Sequence, residues 1–158
     1  IVEAAEADCV VSYAIRDDVP MPIHLAGEPD ADPSALGRAV TATTTDGKAG
    51  TMTTDSHTWE YGGDATPVHV FLGSLVACLA YFSRDQAIQR DVDIGRIDIQ
   101  ATTPNESGEV ESIDLVLCLE TEADRALIDE LVETAKEECV IDTLIDGSIP
   151  VEATWERA

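Results

Sequence analysis

Hydrophobic and polar positions along the chain follow two rhythms. Alternation with period two runs through "ADCVVSYAI" (7–15), "RIDIQAT" (96–102), "SIDLVLCLE" (112–120) and "SIPVEATW" (148–155). Such alternation, weighted with β-branched residues, predicts strands. Two threonine-rich runs, "RAVTATTT" (38–45) and "KAGTMTT" (48–54), flank Asp46-Gly47, a turn pair that predicts a hairpin. "PNESGE" (104–109) turns the chain between 96–102 and 112–120, which are expected to pair antiparallel. The segment 16–36 carries Pro20, Pro22, Pro29 and Pro33 among acids and reads as an acidic, proline-rich surface excursion.

The second rhythm is helical. "GGDATP" (62–67) breaks the strand pattern and starts a helix, with Thr66 as N-cap and Pro67 at the first helical position. This helix is expected to end near Gln89 or Arg90. Its first part, "VHVFLGSLVACLAYF" (68–82), is apolar nearly all round, the pattern of a helix enclosed by protein on every side. At 15 residues the run falls short of the roughly 20 needed to span a bilayer. Thr121 with Asp124 resembles a capping box. It opens a second helix whose apolar stripe is Ile128, Leu131, Val132, Ala135 and Cys139. The resulting order, βββ-α-ββ-α-β, predicts one α+β domain over 1–158, an antiparallel sheet around a long buried central helix with a second helix beside it.

Charge narrows the function classes. The chain has 32 Asp and Glu against 9 Lys and Arg, for a formal net charge of −23. A polyanion repels nucleic acid and acidic membrane surfaces, so neither is expected as a partner. The acids are dispersed rather than gathered in a tail, and only two residues are lysine. That distribution suits a halophilic cytosol, where molar salt shortens the Debye length to about 3 Å and screens the self-repulsion. No charged-then-apolar leader is visible in the sequence, which begins at Ile1. The four cysteines, Cys9, Cys78, Cys118 and Cys139, show no C-x-x-C and no zinc-ligand spacing. Reduced thiols, a cytoplasmic location and no bound metal are therefore expected. Taken alone, each thiol reads as a small apolar core residue.

Order and context add a resemblance. "ATPVHVFLGSLVACLAYF" followed by "AKEECVIDTL" resembles the OsmC/Ohr family, the osmotically inducible protein C and organic hydroperoxide resistance group. That family sets a cysteine eleven residues after a proline at the start of a long helix, as Pro67 and Cys78 stand here. It sets a second cysteine at the end of a later helix, usually in a C-P step, where this chain has "CVI". The order of elements from Arg38 to Trp155 also agrees.

The resemblance implies a homodimer of interwoven chains. It also implies a thiol peroxidase acting on organic hydroperoxides, with Cys78 peroxidatic and Cys139 resolving, no flavin or metal, and an external dithiol reductant. An OsmC-like stress or redox-sensing module, holding a small apolar ligand without peroxidase activity, is the alternative. Family members activate the first thiol with an arginine ahead of the helix and a glutamate in its first turn. Here Val68 and His69 occupy the first turn, and His57 is the only basic residue in 55–63. His57, His69, Arg38 and Lys48 are the candidates left to charge or orient the site. His69 and Cys78 lie about 180° apart around a helix and about 13 Å along it, so His69 cannot reach Cys78 of its own helix. Lys136 is expected to pair with Glu133 in solvent.

Overall fold

The structure is a computed structural model that describes residues 9, 11, 14–16, 18–19, 40–44, 48–54, 56–62, 65–104 and 110–158. Among the described residues, the elements run in the order β1 (Thr41–Thr44), β2 (Gly50–Thr53), β3 (Thr58–Tyr61), α1 (Pro67–Gln89), β4 (Ile97–Thr102), β5 (Ile113–Leu119), α2 (Arg125–Glu137), α3 (Val140–Leu144) and β6 (Val151–Arg157). They form two three-stranded sheets, β1-β2-β3 and β4-β5-β6. The α+β class and the long helix are as expected from the sequence.

The threonine runs pair antiparallel from Thr41↔Thr53 to Thr44↔Gly50, in the register a hairpin requires. The Asp46-Gly47 turn itself lies outside the described residues, as do most of 16–36 and of the 104–109 turn. The third strand of this sheet is not the expected 7–15 run but Thr58–Tyr61, antiparallel to β2. Of 7–15, Val11 is helical and Ile15 makes only an isolated bridge to Ile145. Ala14 is fully buried in the core, and, Cys9 apart, the remaining residues of that run lie outside the described residues. "TWEY" is too short to announce itself by alternation. It ends at Gly62, whose φ of 109° suits a residue without Cβ.

Strand β5 is the centre of the second sheet. Ile113, Leu115, Leu117 and Leu119 alternate inward and are buried, while Asp114 and Val116 face out. β4 pairs with β5 antiparallel as expected. β6 pairs with it parallel, from Ile113↔Val151 to Leu119↔Arg157, which corrects the all-antiparallel expectation. A hairpin cannot join strands running in the same direction. The connection is a crossover through α2 and α3, and those helices then cover the sheet with Ile128, Leu131, Val132 and Ala135.

Helix α1 begins where the sequence placed it. Thr66 has extended backbone and precedes Pro67. The Thr66 N–H donates to His69 Nδ1 at 3.2 Å, and its hydroxyl lies 2.8 Å from the same nitrogen. At the other end Asp91 turns left-handed, with φ 54°, and the Val92 N–H closes onto the Ala87 carbonyl. The helix is not enclosed on every side within one chain. Phe71, Leu75, Leu79, Ser83, Gln86 and Ala87 are buried, whereas Tyr81 and Ile88 are 68% and 71% exposed. α2 is capped by Asp124, whose carboxylate accepts from the Ala126 N–H at 2.8 Å. The expected cap, Thr121, instead donates to the Asp93 carbonyl at 2.8 Å and anchors the α1–β4 connection to the sheet.

Candidate functional site

Cys78 lies midway along α1, half-buried against the core. Cys139 does not end the α2 stripe as expected. α2 stops at Glu137, and Cys139 occupies the break before α3, fully buried. The packing of α1 on α2 and α3 brings the two thiols near enough for Cys78 to raise the pKa of Cys139. None of the four cysteines is in a disulfide.

Burial is the main reason the Cys139 thiol is pushed up from its ordinary 9.0 to about 11, because desolvation penalises the thiolate. The backbone N–H of Asp142 pulls the other way. The hydrogen bond and charge of Cys78 raise it further, and the Ile141 N–H lowers it. These amides face the sulfur without closing a helix-cap bond. Cys139 is thus protonated at neutral pH.

The break that holds Cys139 is braced on both sides. Gln86 of α1, 2% exposed, donates to the Glu138 carboxylate at 2.6 Å, fixing the residue just before Cys139. Lys136 Nζ lies 3.1 Å from Asp142 Oδ2 across the break, not on Glu133 in solvent as expected from helical spacing. Cys139 N–H itself donates to the Lys136 carbonyl at 3.1 Å. Asp142 was not singled out by the sequence reading. Its place three residues after Cys139, where a helix opens, is the signal that marks it.

The other expected site residues fall elsewhere. His69 is committed to the α1 cap, with its ring on Thr66. His57 is exposed on the β2–β3 connection, its ring 4.6 Å from that of Trp59. Lys48 is exposed and, with His69, Cys9, Pro67, Val68 and Leu72, lines a cleft of about 860 Å³ at the start of α1. The thiol pair does not line that cleft. Arg38 lies outside the described residues. Arg84, on the same helix as Cys78, is held by the Ile94 and Gly95 carbonyls. Cys118 faces outward on β5, opposite Asp98 and Glu156.

The family model for OsmC-like proteins matches residues 60–154. The chain belongs to the OsmC family. Solved structures agree in fold. An OsmC-like protein from Mycoplasma pneumoniae is 13% identical with a TM-score of 0.66, over 77% of this chain and 96% of its own. The organic hydroperoxide resistance protein OhrB of Bacillus subtilis is 22% identical with a TM-score of 0.53, over 75% and 97%. An organic hydroperoxide resistance protein from Elizabethkingia anophelis is 17% identical with a TM-score of 0.57, over 76% and 96%. No curated protein sequence matches the chain.

The raised Cys139 thiol has a consequence for stability. Below pH 9 both folded and unfolded chains keep its proton. Between 9.0 and about 11 the unfolded chain loses the proton first, so stability falls as pH rises through that window, by an amount on the order of 2–3 kcal/mol. Urea midpoints at pH 8 and pH 10.5 should therefore drop more for the wild type than for Cys139→Ala. Equal drops would contradict the assignment.

Proposed function

We propose that the protein is a thiol-dependent peroxidase for organic hydroperoxides, with Cys78 attacking and Cys139 resolving. One observation carries the reading: two thiols from distant parts of the sequence meet in the core, and the one that burial keeps protonated is Cys139. In the first step the Cys78 sulfur attacks the terminal peroxide oxygen. An S–O bond forms, the O–O bond breaks, and the alcohol leaves with a proton, giving a Cys78 sulfenic acid. In the second step the Cys139 sulfur attacks the Cys78 sulfur. The S–S bond forms, the S–O bond breaks, and hydroxide leaves as water with the Cys139 proton. An external dithiol then reduces the disulfide, so neither metal nor flavin is required.

The names of the solved relatives from Bacillus subtilis and Elizabethkingia anophelis, both organic hydroperoxide resistance proteins, support this substrate class. The apolar flank of Cys78, with Leu75, Val76, Leu79 and Phe82 around it in sequence and in the core, favours an alkyl peroxide over the small polar hydrogen peroxide. A second copy of the chain is part of the proposal. It would cover the apolar α1 face bearing Tyr81 and Ile88 and supply packing for β1, which is exposed along its whole length. A cation for the Cys78 thiolate would come from that partner or from Arg38. The dispersed acidity suits a salt-rich cytoplasm.

A second reading is favoured by the cleft at the start of α1. Its apolar walls and its Lys48 and His69 rim suit a small apolar ligand with an anionic end, held by an OsmC-like stress or redox-sensing module without turnover. Steady-state assays with cumene hydroperoxide and a dithiol separate the two. Turnover in the wild type, abolished in Cys78→Ser, is expected; a Cys78→Ser protein as active as wild type excludes the peroxidase. Light scattering should give roughly twice the 16.9 kDa chain mass, and a monomer at all salt concentrations would contradict the second copy.

A further inference from the structure

The peroxidase reading leaves one group of side chains without a task. Lys136 and Asp142 form an ion pair that closes over the α2–α3 break, with Nζ 3.1 Å from Oδ2 and side chains only 30% and 15% exposed. Asp142 Oδ1 is buried and has no hydrogen-bond partner among the described residues. Dehydrating two charges to this extent adds little stability, since the desolvation cost rivals the attraction. A surface pair or two apolar residues would hold the helices as well. What the buried pair does fix is geometry: it ties the last turn of α2 to the first turn of α3 across the two-residue break, Glu138–Cys139, that holds the sulfur facing Cys78.

We propose that the Lys136–Asp142 ion pair is a positioning device for the resolving step, holding the break so that the Cys139 sulfur stays against Cys78. The inference rests on the peroxidase reading and deepens it. A sulfenic acid has two fates. It is captured by Cys139, forming S–S and releasing water. Otherwise a second molecule of organic hydroperoxide oxidises it to sulfinic acid, with the O–O bond of the peroxide breaking and the alcohol leaving. Capture is intramolecular and fast only while the two sulfurs are held in contact, and a displacement of about 1 Å is enough to slow such a step by up to 100-fold. The side chains of Lys136 and Asp142 bond to one another rather than to the reacting sulfurs, so their effect falls on this partition.

Four charged or titratable groups surround Cys139 from the packed elements: Cys78 on α1, Lys136 and Glu138 at the end of α2, and Asp142 on α3. Glu138 is already satisfied by Gln86. That leaves the ion pair as the bridge whose removal loosens the break without unseating α1.

The test is mass spectrometry of the reduced full-length protein exposed to increasing t-butyl hydroperoxide, reading the ratio of Cys78 sulfinic acid to the 78–139 disulfide. Lys136→Met and Asp142→Asn should raise that ratio by roughly tenfold. Lys136→Arg, which keeps the charge, should stay close to wild type, as a role in mere helix stability would not require. Asp142→Asn preserves shape and the amide facing Cys139, so it carries the test if Lys136→Met fails to fold. Wild-type disulfide formation with an unchanged ratio in the folded variants overturns this assignment alone. A wild-type Cys78 that peroxide does not oxidise overturns the peroxidase reading and this assignment with it.

Discussion

The meeting of the Cys78 and Cys139 sulfurs depends on one packing relation, α1 laid against the α2–α3 pair over the β4-β5-β6 sheet. Leu75, Leu79, Ile128, Leu131 and Ala135 are essentially removed from water at this junction. Dispersion and hydrophobic burial there are non-directional, so they bring the helices together without fixing their relative height. Directional contacts do that. Gln86 to Glu138 and Arg90 to Thr134 Oγ1 at 3.1 Å pin the register along the seam, and Lys136 to Asp142 ties α3 to α2. A slide of one turn would carry Cys78 about 5.4 Å past its partner.

The two thiols differ because their surroundings differ. Cys139 sits where the chain leaves one helix and enters another, sealed from solvent, and its proton is held by desolvation. Cys78 is half-buried on a helix whose adjoining positions Tyr81 and Ile88 are exposed in the single chain. One sulfur is thereby kept out of contact with oxidant while the other lies toward the side where a ligand, a peroxide or a second subunit approaches. That asymmetry follows from the fold before any activating group is considered.

Much of this was legible in the sequence because it rests on local signals. The Thr66-Pro67 start, the long apolar helix, the β4–β5 alternation and the threonine hairpin each come from residues close together in the chain. The misreadings come from long-range contacts. In 7–15, the described Val11 is helical, Ala14 is buried and Ile15 makes only an isolated bridge. The sense of β6 is set by the length of the crossover that precedes it, not by its own residues. Lys136 found Asp142 because α2 ends before Cys139, a break that the continuous apolar stripe from Ile128 to Cys139 concealed. The resemblance marked both thiols, Cys78 by its spacing from Pro67 and Cys139 by its place in "AKEECVIDTL", whereas the helix break that holds Cys139 is visible only in the structure.

The most direct measurement is a non-reducing peptide map of the protein after one equivalent of cumene hydroperoxide. A disulfide joining the Cys78 and Cys139 peptides, with Cys9 and Cys118 unmodified, is the expected result. An unmodified Cys78, or a Cys78 linked to any other cysteine, would contradict the central claim that these two sulfurs act as one redox unit.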